Sequence, residues 1–292
     1  MDVSPAIQED QKGWTEVIAP TSSPFDLHLV DVWRYRDLLM LLVRRDFIAT
    51  YKQTILGPTW FFLQPILTAI TYWVIFGQIA NLSTENLPAL LFYLPGITLW
   101  NYFSECLNKT ASVLKDNAAI FGKVYFPRLI MPLSIVVSNL VKLGIQMFLF
   151  LVIWAFYLFA GFKGGAIHPN LTICLIPFLI IVIGGLGLGF GMVISSLTTK
   201  YRDLIFLLSF GVQLLMYATP VIQPLSAVKG KWRLLFLANP MTSIIETFRY
   251  AFLGTGSFSI NGLLYSTVFM VVVLFLGILI FNKVEKSFMD TV

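Results

Sequence analysis

Two apolar stretches of this sequence carry side chains suited to handling a sugar. Trp60, Gln64, Thr68 and Tyr72, with Thr71, recur at helical spacing in the first. Phe206, Phe210, Gln213 and Tyr217, with Ser209, recur in the second. Amides and hydroxyls can bond the hydroxyls at the edge of a sugar ring, and aromatic faces can stack on its C–H groups. Stacking tolerates a shift in register, so such a stripe suits a long polymer that slides past. The same residues would equally serve as hydrogen bonds between helices and as interfacial aromatics.

A third group is an island, Leu114–Pro132, LKDNAAIFGKVYFPRLIMP. Lys115, Asp116, Lys123 and Arg128 supply its charge; Asn117, Ile120, Phe121, Val124, Tyr125 and Phe126 surround them. Apolar runs long enough to cross a membrane lie on both sides, and the basic charge puts the loop on the cytoplasmic face. There it reads either as a docking element for a cytoplasmic partner or as a hydrated loop anchored by snorkelling Lys and Arg.

Other chemistry is missing. No His-Glu-x-x-His, Gly-x-Ser-x-Gly or Gly-x-x-x-x-Gly-Lys-Ser/Thr occurs, so neither metal-dependent nor serine hydrolysis nor P-loop binding of ATP is indicated. No Asp/Glu-x-Asp/Glu pair is present, which argues against a metal-dependent sugar-nucleotide transferase. The two histidines, His28 and His168, are far apart in sequence, and no metal site is expected. GGLGLGFG at 184–191 fails the dinucleotide-loop spacing; Gly185/Gly189 and Gly187/Gly191 are instead pairs four apart that let helices approach closely.

The elements that position these groups follow from composition. Of 292 residues, 57% are hydrophobic and 12% charged, with mean hydropathy +0.80. Soluble domains carry about 25% charged residues, so the fold class is all-α integral membrane. Six spans are expected, at 59–80, 89–112, 131–160, 171–197, 204–222 and 260–282. No signal peptide is evident in the acidic first 30 residues. Residues 1–30 read as an extended cytoplasmic segment, 31–56 as an amphipathic interface helix and 57–292 as the transmembrane domain. In that helix Arg34, Asp37, Arg44, Arg45 and Lys52 share a sector of roughly 100°, opposite Leu38, Leu39, Leu42 and Val43. Gly57-Pro58 ends it. Cys106 and Cys174 read as small apolar fillers.

Charge sets the topology. Of 20 Lys and Arg, 14 fall on the expected inside and 5 outside, with Lys142 left within the third span. Both termini are therefore expected in the cytoplasm. The net charge of +5 fits loops near anionic membrane lipid and needs no nucleic acid. Four of the five outside charges lie in 223–258, which is too amphipathic to span and too apolar for a simple loop. Asn239-Pro240 starts a helix there. This segment reads as a re-entrant helix pair or as a pair lying on the surface. Lys142 needs a partner, water, or a span that starts well below the membrane. Glu105 and Glu246 are its candidate counter-charges on the outer side.

At this point the chain resembles the ABC-2 type permeases that export polysaccharides such as O-antigen, capsule and teichoic acid. The resemblance rests on RDFIATYKQTILGPTWFFLQP at 45–65, FGKVYFPRLIMPLS at 121–134, TTKYRDL at 198–204, YATPVI at 217–222 and NPMTSIIETFRYAFLG at 239–254. It implies a homodimer in a bacterial inner membrane, paired with two copies of a cytoplasmic ATPase subunit. ATP and Mg would be held by that partner and no cofactor by this chain, which would not itself be an enzyme. It also implies that 113–128 is a coupling element seated in the ATPase, beside the helix at 31–52. The segment 223–258 would be an outer gate, with Trp232, Glu246 and Arg249 as its gate residues. The substrate would be a glycan on a polyprenyl pyrophosphate, attracted at the cytoplasmic surface by Arg44, Arg45 and Lys52 and threaded past the two stripes.

Overall fold

The computed structural model describes residues 29–52, 54–118, 126–160, 167–201 and 203–289. The segment 1–28 lies outside the described residues, as do Ile120, Phe121, Lys123 and Tyr125 of the island. The described residues are helical with no strand.

The helix expected at 31–52 forms as two, α1 (Leu29–Arg34) and α2 (Arg36–Tyr51), separated at Tyr35. Leu42 is buried and Leu38 and Leu39 partly so, packed with Val113, Leu114, Ile130 and Phe281. Trp33, Met40 and Leu41 are exposed among the charges, so α2 presents apolar side chains on more than the expected face. Gly57, at φ 51°, and Pro58 open a 3-10 turn that leads into α3 (Trp60–Tyr72), and α3 continues as a π turn over Trp73–Ile79. Phe61, Pro65 and Ala69, four apart, form its buried face.

α4 (Ala89–Ala111) is the axis of the bundle. Leu91–Trp100 is buried without a break, and α4 packs against α3, α6 (Ile130–Ala160) and α7 (Ile176–Thr198). A four-residue helix, α5 (Val113–Asp116), follows it. The glycines of α7 explain how the axis is approached so closely. A Cβ at Gly187 would lie 2.7 Å from the Cβ of Cys106, and one at Gly191 would collide with Thr110, both on α4. On the other side a Cβ at Gly189 would lie 2.8 Å from the backbone of Leu274 in α11 (Ile260–Met289). The paired small residues thus join helices within one protomer, where dispersion replaces any hydrophobic drive in lipid.

Among the described residues, four stretches are long and apolar enough to cross a membrane: Gly57–Ile79, Ile130–Phe159, Leu171–Thr198 and Ile260–Val284. α4 has the length, but Asn101, Ser104, Glu105, Asn108 and Lys109 dilute its hydropathy. α8 (Leu204–Tyr217) is apolar but has only 14 residues. The stretch expected as one span at 204–222 is therefore helical only to Tyr217, and its continuation, Thr219–Ile222, is buried non-helical backbone. Two helices follow where a helix pair was expected, α9 (Lys231–Ala238) and α10 (Pro240–Leu253). Asn239 caps α10, its Oδ1 accepting from the N–H of Met241 at 3.0 Å, and Gly254, at φ 74°, ends it. α9 is mostly exposed, whereas α10 is mostly buried against α4 and α11.

Candidate functional site

The unwound stretch after α8 is where the site begins. Backbone that leaves a helix inside an apolar bundle must find partners in the protein. Arg249 supplies one and ties it to α4: its Nη2 donates to the carbonyl of Val221 at 3.1 Å and to that of Phe92, within α4, at 3.3 Å. Its guanidinium also lies 3.9 Å over the ring of Phe92. Glu246, one turn before it, sits 3.7 Å from Arg249 Nη1. The Glu246 carboxylate accepts from the N–H of Leu225 at 3.4 Å and of Ser257 at 3.1 Å. Asn239 Nδ2 donates to the carbonyl of Ala218 at 3.3 Å. Three side chains of the NPMTSIIETFR motif thus tie the unwound stretch and the turn after α10 to one helix. Arg249 is 0% exposed and Glu246 2%. Burial pushes the Glu246 carboxyl up, with Arg249 and the two backbone donors pulling it back. Burial lowers the guanidinium of Arg249 to about 10, which leaves it charged near neutrality.

Outside this clamp lies an open cleft of about 330 Å³. Tyr217, Gln223 and Trp232 line it together with Leu214, Leu235 and Phe236. The structure thus brings a stripe residue, Tyr217, to the same place as the expected gate residue Trp232. Gln223 was missed from the sequence. It falls six residues beyond Tyr217, and only the unwinding of the chain turns it into the cleft.

Apart from Tyr72, which is half-buried and meets the ring of Tyr93 on α4 edge-on at 6.2 Å, the two stripes stand on the faces of α3 and α8 turned away from α4. Trp60, Phe206, Phe210 and Tyr217 are 42, 80, 63 and 52% exposed, and Gln64 and Gln213 are exposed. The hydroxyls of Thr68, Thr71 and Ser209 bond to carbonyls of their own helices, four residues back. Among the described residues one polar contact links the stripes, Tyr72 Oη to Met216 Sδ at 3.5 Å. Within a protomer the stripes are therefore free surfaces that converge near Tyr72 and Tyr217, not a ladder of hydrogen bonds between helices.

At the island end, Arg44 and Lys52 are exposed, while Arg45 is tied to Asp46 at 2.9 and 3.0 Å. Lys115 and Asp116 are exposed on α5, whose Val113 and Leu114 are buried. Asn117 Nδ2 donates to the carbonyl of Val113 at 3.0 Å. Arg128 is 8% exposed, in contrast to Lys115 and Asp116.

Lys142 finds its counter-charge in Glu105, at 3.2 Å, and the same oxygen takes Lys109 at 2.7 Å. Glu246 belongs to Arg249 and not to Lys142. Glu105 lies six residues before the island end of α4. The first two turns of α6 pack in the layer of α2 and the island, which brings Lys142 close to that end as well. No group of three metal-ligating side chains occurs among the described residues.

The comparisons with known proteins agree with this architecture. Residues 37–253 match the family described as ABC-2 type transporter. The O-antigen export system permease protein RfbA of Myxococcus xanthus is 30% identical over 76% of this chain and 82% of its own length. Its namesake from Klebsiella pneumoniae is 29% identical over 87% and 94%. The polysialic acid transport protein KpsM of Escherichia coli is 21% identical over 86% and 94%. With a match over most of its length and relatives of this kind, the chain belongs to the ABC-2 type transporter family, as a permease of the polysaccharide-exporter kind.

Proposed function

We propose that this chain is the transmembrane subunit of an ATP-driven exporter. Its substrate is a polysaccharide on a polyprenyl pyrophosphate, O-antigen foremost, moved from the cytoplasmic face across the inner membrane. The observation that carries this reading is the pair of exposed aromatic and amide stripes converging on the cleft at Tyr217, Gln223 and Trp232. Exposed aromatics are poorly placed as lipid anchors when they run the length of a helix, but well placed to face a second copy across a glycan-sized gap.

In this mechanism two copies pair so that α3 and α8 line the gap. Six segments cross the membrane: α3 with its π turn, α4, α6, α7, α8 with the unwound stretch, and α11. The pair α9–α10 dips into the outer face, α1–α2 lies at the cytoplasmic interface, and both termini are cytoplasmic. Arg44 and Lys52 draw the pyrophosphate, with Arg45 weakened by Asp46. Two ATPase subunits, holding ATP and Mg, bind the island. Their closure moves 113–128, and the motion passes through α4 and α6 to open the gap.

The likeness to a polysialic acid transporter favours capsule as the second substrate. Teichoic acid, small lipids and drugs are further substrates that the same fold could carry, while an ion channel would need no ATPase. Deleting the chain and locating the lipid-linked glycan tests the reading. Accumulation on the cytoplasmic face with loss of surface polysaccharide is expected. Normal surface glycan with no accumulation would overturn the polysaccharide reading and leave a small-lipid or drug exporter.

A further inference from the structure

Glu105, Lys109 and Lys142 form a charged cluster that export along the stripes does not use. One carboxylate oxygen takes two ammonium groups, at 2.7 and 3.2 Å. An ammonium has three N–H donors, so each lysine keeps two that have no partner among the described residues. Asp46 is the other acid that acts on Lys109, and Arg45 meets its charge at 2.9 Å. The cluster is left with a net charge of +1.

It is also open. The side chains of Lys109 and Glu105 are 48 and 45% exposed. Lys142 is more enclosed, at 16%, so Lys109 is the more open side of the site. Lys109 stands two residues before the end of α4. Thr198, the last residue of α7, donates to the carbonyl of Ala111 at 2.8 Å, so α4 and α7 end at one level, followed at once by Lys200 and Asp203. The cluster therefore sits within about two turns of the polar rim of the bundle, the depth at which a leaflet carries its phosphates.

A lone positive charge half exposed at this depth is costly in hydrocarbon and well placed beside a phosphate. We propose that Lys109 and Lys142 form a binding site for the phosphate group of a membrane lipid, between the island ends of α4 and α6. Glu105 holds the two ammonium groups together and tunes the site by cancelling one of their charges. The phosphate can come from an anionic phospholipid or from a polyisoprenyl diphosphate; the recognising chemistry is the same.

The test is a titration of the full-length chain in neutral detergent, with bound lipid read by native mass spectrometry. Phosphatidylglycerol, phosphatidylcholine and a polyisoprenyl diphosphate are the probes. Lys109→Gln and Lys142→Gln should each weaken phosphatidylglycerol binding roughly fivefold, Lys142→Arg should preserve it, and Glu105→Gln should strengthen it about as much. The opposite sign at Glu105 separates a binding site from a structural cluster, since a merely structural role predicts loss in every variant. Displacement of phosphatidylglycerol by the diphosphate in the wild type, lost in the lysine variants, supports the site and makes the diphosphate its ligand. No displacement, with the charge series intact, supports it as a phospholipid site. Equal binding of phosphatidylglycerol and phosphatidylcholine with no diphosphate bound, or weakening by Glu105→Gln, overturns it. Such a failure leaves export untouched, because export is read from surface glycan.

Discussion

The two acid–base clusters of this molecule use similar side chains to opposite ends. Glu246 and Arg249 lie one turn apart on α10 and are almost wholly buried. Glu105, Lys109 and Lys142 join two helices and stay partly open. In the first, the charges are spent on backbone: two carbonyls for the guanidinium, two N–H groups for the carboxylate. In the second, the charges meet one another and their spare donors are partly open, whereas the spare Nε and Nη1 of Arg249 are buried. A buried pair rarely adds much stability over an apolar equivalent, but removing one partner is expensive because the other charge is stranded. An exposed pair contributes little either way. Burial, more than the charges themselves, therefore separates an architectural clamp from a surface that is free to bind.

The largest effect expected from this contrast is at Arg249. Arg249→Ala strands Glu246 and leaves the carbonyl of Val221 without its side-chain donor, and should cost about 3–5 kcal/mol. Loss of the folded protein, or a sharp fall in its thermal midpoint in detergent, checks this. Arg249→Lys should recover only part of the loss, since an ammonium lacks the planar fork. A mild effect of Arg249→Ala would erase the contrast. Next comes Asn239, which both caps α10 and holds the carbonyl of Ala218. Asn239→Ala should cost about 1–2 kcal/mol in the same measurement.

The parts of this design that were legible in the sequence are those set by local pattern. Long apolar runs gave the helices, Asn239-Pro240 gave the start of α10, and the spacing of Gly185, Gly187, Gly189 and Gly191 gave a close-packed seam. The end of α8 was legible but not read: YATPVI carries Pro220, which has no N–H for the carbonyl four residues back and disfavours helix at Thr219, so the helix stops at Tyr217. What was not legible is the partner of the unwound backbone, a guanidinium 28 residues beyond Val221 that donates to its carbonyl. Glu105 was one of two acids the sequence offered to Lys142, and the choice between it and Glu246 was not legible. Counting from Ile130 placed it deep in a span, but the first turns of α6 belong to the layer of α2 and the island. The site residues divide in the same way. The stripes were visible as a period, whereas the cleft, and Gln223 in it, exists only once the chain has unwound.

A smaller effect is expected at Lys142. Lys142→Met leaves Glu105 with Lys109 at 2.7 Å, so no charge is stranded. Its stability cost should stay below about 1 kcal/mol, in the range of exposed pairs. A cost near that of Arg249→Ala would show that the open cluster is architectural after all.

The smallest stability effect is expected where function is concentrated. Trp60 and Tyr217 are exposed and make no structural hydrogen bond among the described residues. Trp60→Ala and Tyr217→Ala should each change stability by no more than about 0.5 kcal/mol. Surface glycan measured in the same cells should nonetheless fall, with membrane levels and assembly unchanged. That combination cannot arise from misfolding, and it cannot arise from lipid anchoring, which would lower the membrane level. Unchanged export would remove the stripes from the pathway. A fall in stability with a fall in export would turn them into a subunit interface, and the polymer would then need another route.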